Sequence, residues 1–193
     1  MSQQTDWQAE IDRHYGCGDH GDPRTPLRGL LLSHSRSVAE LALELAHRNR
    51  LPLDDGDITA AAMLHDIGII RTDAPGIHCH GTQHYLRHGT EGAAMLRADG
   101  MPEWLARVAE RHTGTGITAD DIRTNGLPMP EGDYMPETLL EKLVCYADKF
   151  YSKSGSTGRK SPARVRASLA RFGAASSARF DALASMFGLP DPD

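Results

Sequence analysis

The chain has 193 residues, 39% hydrophobic and 24% charged, with 19 glycines, 11 prolines and a net charge of −5. This is ordinary globular composition with room for one domain and a sizeable core, and it excludes collagen, a coiled coil and wholesale disorder. No stretch reaches the ~18 apolar residues of a membrane span, and the opening residues are polar and acidic rather than basic and then apolar, so a cytoplasmic protein with no membrane partner is expected.

Apolar residues recur at intervals of three and four rather than two, which predicts an all-α protein without strands. The first helix is expected from Leu27 to Arg50, with Leu30, Leu31, Val38, Leu41, Ala42 and Leu45 on its apolar side and Leu51-Pro52 as its stop. Asp57 is placed as the cap of a second helix, Ile58 to Ile67, ended by Gly68. A third helix is expected from Thr82 to Ala98 and a fourth from Glu103 to His112. After a loop holding Pro128, Pro130 and Pro136, a strong helix runs from Glu137 to Tyr151, and a last helix pair spans Pro162 to Phe187.

Charge is uneven along this frame. Lys149 to Phe180 carries eight Lys or Arg and no acid, which suits either attraction of a small phosphate ligand or a solvated helix face. Within it, Ser154 to Gly158 reads as a flexible loop. Cys17, Cys79 and Cys145 show no CxxC spacing and read as reduced packing residues.

The histidines, ten in all, carry the chemistry. Counting turns on each expected helix puts His34 one turn before Val38, His65 one turn beyond Ala61 and beside Asp66, His88 one turn before Gly92, His112 one turn beyond Val108, and Asp148 on the stripe of Leu140, Val144 and Tyr151. A single such histidine is explained by a hydrogen bond to a carbonyl in the core. Five helices that each deliver a His or an Asp inward instead describe how helical bundles build metal sites, and nitrogen and oxygen ligands suit Mn, Fe, Co, Ni, Zn or Mg.

The ordered series His34, then His65-Asp66-Ile67-Gly68, then Asp148 resembles the HD superfamily of metal-dependent phosphohydrolases. His88 within His88-Gly89-Thr90-Glu91-Gly92-Ala93 and His112 within Glu110-Arg111-His112-Thr113-Gly114 resemble the extra histidines of its binuclear branch, which includes the HD-GYP phosphodiesterases. Gly114-Thr115-Gly116-Ile117 stands where that family has Gly-Tyr-Pro, and Ile69-Ile70-Arg71 stands where alarmone hydrolases have an acidic pair, so neither cyclic di-GMP nor an alarmone is the expected substrate. The likeness is to small stand-alone HDIG proteins.

That resemblance implies a single-domain helical HD fold over residues 30–153, an N-terminal extension over 1–29, and a basic helical extension over 154–193 packed on the same domain. It implies one or two divalent metal ions, the first held by His34, His65, Asp66 and Asp148, with Asp66 bridging to a second at His88 and His112. The implied activity is hydrolysis of a phosphomonoester or phosphodiester, with a nucleotide as the expected partner, by attack of a metal-bound hydroxide. Asp66, Lys149 and Arg71 are the expected catalytic residues, and Lys149, Lys153, Arg71 and His84 the expected phosphate contacts. A nucleic acid is not expected, and the alternative is a metal-containing nucleotide sensor without turnover.

The remaining histidines divide by position. His80, His84 and His88 are spaced by four on the expected third helix, where the outer two stand about 12 Å apart and cannot share one ion. Cys17-Gly18-Asp19-His20 has no second half for a zinc site and reads as a polar loop, and His14 and His47 read as surface residues.

Overall fold

Local signals start most of the helices. A computed structural model of the protein describes residues 5–18, 21–153 and 158–190. Helix α1, Trp7–Tyr15, is capped by Asp6, whose carboxylate accepts from the Ala9 amide at 3.0 Å. Helix α2, Thr25–Arg48, buries Leu31, His34, Val38, Leu41 and Leu45 along one stripe. Helix α3, Asp55–Leu64, is capped by Asp54 rather than by Asp57. Asp54 accepts from the amides of Gly56 and Asp57, and Asp57 lies inside the first turn, where its charge faces the positive end of the helix dipole.

A 3-10 turn over Ile67–Arg71 leads from α3 into a feature the periodicity did not predict, a small sheet of β1 (Thr72–Ala74), β2 (Cys79–His80) and β3 (Gln83–His84). Its order is β2-β1-β3, with β1 antiparallel to β2 and parallel to β3. The expected third helix is therefore shorter. The amides of Gly81 and Thr82 donate back to Thr72 O and Arg71 O, Gln83 and His84 pair with β1, Tyr85–Arg87 form a 3-10 turn, and helix α4 begins at His88 and ends at Ala98. Strands of two and three residues are too short to display an alternation, so their sequence carried no sign of them.

Helix α5 (Glu103–Arg111) follows, then a short helix α6 (Ala119–Asn125) inside what was expected to be loop. Helix α7, Leu139–Asp148, opens on a capping box between Thr138 and Glu141. Helices α8 (Pro162–Ala170) and α9 (Ala174–Phe187) close the chain, α8 started by Ser161 and Pro162. Asp19, His20 and residues 154–157, and with them the CxxH reading and most of the loop from Ser154, lie outside the described residues.

One hydrophobic cluster runs through all of this, from Ile11 and Tyr15 on α1 through α2, α3, α4, α5 and α7 to Phe180 and Phe187 on α9. Tyr146 on α7 meets Phe150, Phe180 and Phe187 with ring centroids 5.1, 5.6 and 5.7 Å away, so α9 is held on α7 by aromatic packing. Tyr15 is fully buried and braces the turn after α3: its hydroxyl donates to Ile67 O at 2.6 Å and accepts from the Ile70 amide at 3.2 Å. Apart from the small sheet the protein is all-α, and no helix among the described residues is long and apolar enough to cross a membrane.

Candidate metal centre

Helix ends deliver most of the site. His65 is the C-cap residue of α3 with Asp66 directly after it, His88 is the first residue of α4, His112 is the C-cap residue of α5, and Asp148 is the last residue of α7. Only His34 comes from mid-helix, on the buried stripe of α2. All six are buried, with His65 and Asp66 fully so.

Their ligand atoms form two groups that share Asp66. Asp66 Oδ2 lies 3.2 Å from both His34 Nε2 and His65 Nε2, and Asp148 Oδ1 lies 3.0 and 3.5 Å from the same two nitrogens. Asp66 Oδ1 instead faces His88 Nε2 at 3.5 Å and His112 Nε2 at 3.3 Å, and those two nitrogens are 3.0 Å apart. Ligands bound at 2.0–2.2 Å to one ion stand about 3 to 3.5 Å from one another, so both groups have the spacing of a metal's donor set.

Hydrogen bonding makes the fit stronger. The Nδ1 atoms of His65, His88 and His112 lie 2.6, 2.7 and 2.7 Å from the carbonyls of Ala62, Tyr85 and Ala109, each three residues earlier. A carbonyl can only accept, so each ring carries a proton on Nδ1 and turns its Nε2 into the site. His88 and His112 then face each other with two acceptors, an arrangement that needs a cation between them. His65 Nε2 and Asp66 Oδ1, both buried, have no hydrogen-bond partner. The residues present fit divalent metal.

Two ammonium groups complete the electrostatics. Lys153 Nζ is 2.7 Å from Asp66 Oδ2, and Lys149 Nζ is 2.8 Å from Asp148 Oδ2 while also donating to His112 O. Burial alone would push both carboxyls up, but Lys153 beside Asp66 and Lys149 beside Asp148 hold them well below the ordinary range. Burial works against charge on His65, which the neighbouring Asp66 and Asp148 nevertheless push up to about 9. Burial and the facing His112 push His88 down to about 3.

The site opens on a cavity of about 530 Å³ lined by Asp148, Lys149, Lys153 and Lys160, with Tyr85 and Tyr151 among its walls. Lys160 was not singled out by sequence, where it was one charge in the basic stretch. It donates to Tyr151 O at 2.7 Å, and half-burial pushes its ammonium pKa down. Arg71 does not line the cavity; it is exposed and reaches Glu91 at 3.4 Å. His84 is also exposed, and its ring accepts from the Leu86 amide as the cap of the 3-10 turn rather than joining either group. With β3 in place of a helical turn, His80, His84 and His88 share no face. His47 is exposed as expected, whereas His14 is partly buried, its Nε2 2.7 Å from Asp99 Oδ2.

A helical fold whose helix ends converge histidines and aspartates on one buried centre defines a metal-binding α-helical domain. The model of the HD domain family matches residues 31–152, and the chain belongs to that family, whose domains bind divalent metals. Among curated relatives, tRNA (cytidine(56)-2'-O)-methyltransferases of Picrophilus torridus and Thermoplasma volcanium are 34% identical over 123 residues and 36% identical over 138 residues. These alignments take in 64% and 72% of the chain but 32% and 33% of the relatives, so the chain spans about a third of their length. An uncharacterised protein of Methanocaldococcus jannaschii is 40% identical over 121 residues, covering 61% of the chain and 64% of that protein. No solved structure matches the chain.

Proposed function

We propose that the protein is a metal-dependent phosphohydrolase acting on a phosphate ester of a nucleotide. The observation that carries this reading is the division of Asp66 between two histidine groups, next to a lysine-lined cavity whose wall includes Asp148. His34, His65, Asp66 and Asp148 would hold one divalent ion, and Asp66, His88 and His112 a second. Such ions, when bound, activate water as a nucleophile and neutralise charge that develops on the phosphoryl oxygens.

The chain's own residues supply the rest. Carbonyls of Ala62, Tyr85 and Ala109 hold the three imidazoles in one tautomer. Lys149, Lys153 and Lys160 bring three ammonium groups to the cavity, enough to receive a phosphate dianion, and Tyr85 and Tyr151 offer ring surface to a base or sugar. Arg71 is left out of the proposed phosphate contacts because it is exposed and does not line the cavity.

Two measurements test the reading. Purified protein reconstituted with Mn²⁺ should release phosphate from at least one member of a nucleotide panel, with metal bound at one to two ions per chain. Metal bound with no turnover on any phosphate ester would favour the nucleotide sensor instead. A second reading, in which the ester belongs to an RNA, is favoured by the relatives named for tRNA methylation. Methyl transfer itself is the activity in the names of those longer proteins and is not carried over. Phosphate release from tRNA but not from mononucleotides would select the RNA reading.

A further inference from the structure

A second group of ligand-type side chains, sharing no residue with the first, comes together where α1 meets the C-terminal end of α4. Glu10 and His14 lie one turn apart on α1 and share a face, and Asp99 is the C-cap residue of α4. His14 Nε2 is 2.7 Å from Asp99 Oδ2 and 3.4 Å from Glu10 Oε1, and one ligand atom from each residue lies within 4.8 Å of the other two. Glu10 is 3% exposed, and Oε1, the oxygen aimed at His14, has no hydrogen-bond partner. The nearest guanidinium does not serve it, because Arg13 reaches the other oxygen, Oε2, at 3.3 Å. A buried carboxylate oxygen without a donor, beside a second carboxylate, calls for a cation or a proton.

We propose that Glu10, His14 and Asp99 form a further metal site, separate from the HD centre, that takes a divalent ion of the zinc class. One imidazole nitrogen and two carboxylate oxygens are a donor set for borderline transition metals rather than for calcium, which prefers six or more oxygens. Three protein ligands leave a fourth position to solvent. Two ligands at 2.0–2.1 Å on a tetrahedral ion stand about 3.3 Å apart; the Glu10–His14 separation of 3.4 Å already has that value, whereas the His14–Asp99 pair, at a hydrogen-bond distance of 2.7 Å, would widen to it on admitting the ion. The ion would tie α1 to α4. Because α1 carries Tyr15, hydrogen-bonded on both sides of the turn that follows Asp66, the tie would fix the helix that braces the HD motif.

The test uses the full chain and Zn²⁺ alone. In an Asp66→Ala/Asp148→Ala background, which removes the carboxylate ligands of the HD centre and leaves its four histidines, adding His14→Ala should lower by one per chain the zinc retained when metal-stripped protein is mixed with Zn²⁺ and freed of excess. Wild-type crystals grown with Zn²⁺ should show an anomalous peak about 2.1 Å from His14 Nε2 and from one oxygen each of Glu10 and Asp99. The crystal measurement stands even where the double variant fails to fold. Zinc-saturated wild-type crystals with no anomalous density at this position would overturn the proposal and assign the cluster to a proton shared between the carboxylates. So would zinc content unchanged by His14→Ala.

Discussion

A β-carbon on Gly68 would stand 2.2 Å from the carbonyl oxygen of His88. The glycine of the motif is thus the contact surface on which α4 lies, and the absence of a side chain there lets the first residue of α4 come within reach of the Asp66 carboxylate. The second side of α4 is also closely packed: a β-carbon on Gly89 would be 2.7 Å from Ala109 O on α5. Backbone-to-backbone packing on both faces sets the separation of His88 and His112.

Gly68→Ala should therefore cost about 1–3 kcal/mol by overpacking and push α4 outward. The expected result is a folded protein that binds one metal ion fewer than wild type, with the loss at the His88 and His112 group. Metal content by mass spectrometry, alongside a chemical denaturation curve, reads both effects.

His88→Ala and His112→Ala should each lose the second ion and keep the first, because neither residue offers a ligand atom to the His34 group, although the His112 ring packs edge-on against His65 with centroids 4.7 Å apart. Hydrolysis should fall by about 10²-fold or more. Asp66→Ala removes the carboxylate that both groups share, so it should bind neither ion and show no turnover. An Asp66→Ala protein that kept both metal and activity would sink the binuclear reading.

Lys160→Ala should raise KM for a phosphate ester with a smaller effect on kcat, since the side chain lines the cavity without touching either ligand group. Lys160→Arg should recover part of the loss by restoring the charge. Steady-state kinetics on the best substrate of the panel decides it, and an unchanged KM in Lys160→Ala would remove this lysine from the phosphate contacts.

Acid should weaken the start of α7. Burial pushes the Glu141 carboxyl up, but the Glu137 amide at 2.7 Å, Arg107 Nε at 2.8 Å and the Thr138 amide outweigh it and bring the net shift below the ordinary value. A carboxylate depressed on folding contributes stability above its unfolded pKa of about 4.3, and that contribution is lost as the pH falls through the lower folded value. Glu141→Gln should cost about 1.5–3 kcal/mol at pH 7, and the gap between the two proteins should shrink at pH 3 to 4. Urea unfolding at the two pH values measures it.

Much of this protein is legible one turn at a time. The 3.6-residue period places His34 beside Val38 and Asp148 beside Val144 on apolar stripes, and no tertiary contact is needed to see that these residues face inward. The order of His34, His65-Asp66 and Asp148 along the chain likewise points to metal by itself. Local periodicity fails where an element is shorter than the period it must display, as at β1 to β3 and α6, and Thr82 to Arg87 therefore read as the continuation of a helix. What only the tertiary structure decided is which atoms meet between elements distant in the chain: that Asp66 gives one oxygen to each histidine pair, that Lys160 reaches the cavity while Arg71 turns away to Glu91, and that Asp99 meets Glu10 and His14. Spacing along a helix sets the face a side chain occupies, but the distance between two helices is set by their packing, and here glycines without a β-carbon bring α4 close enough for its histidine to share a carboxylate with α5.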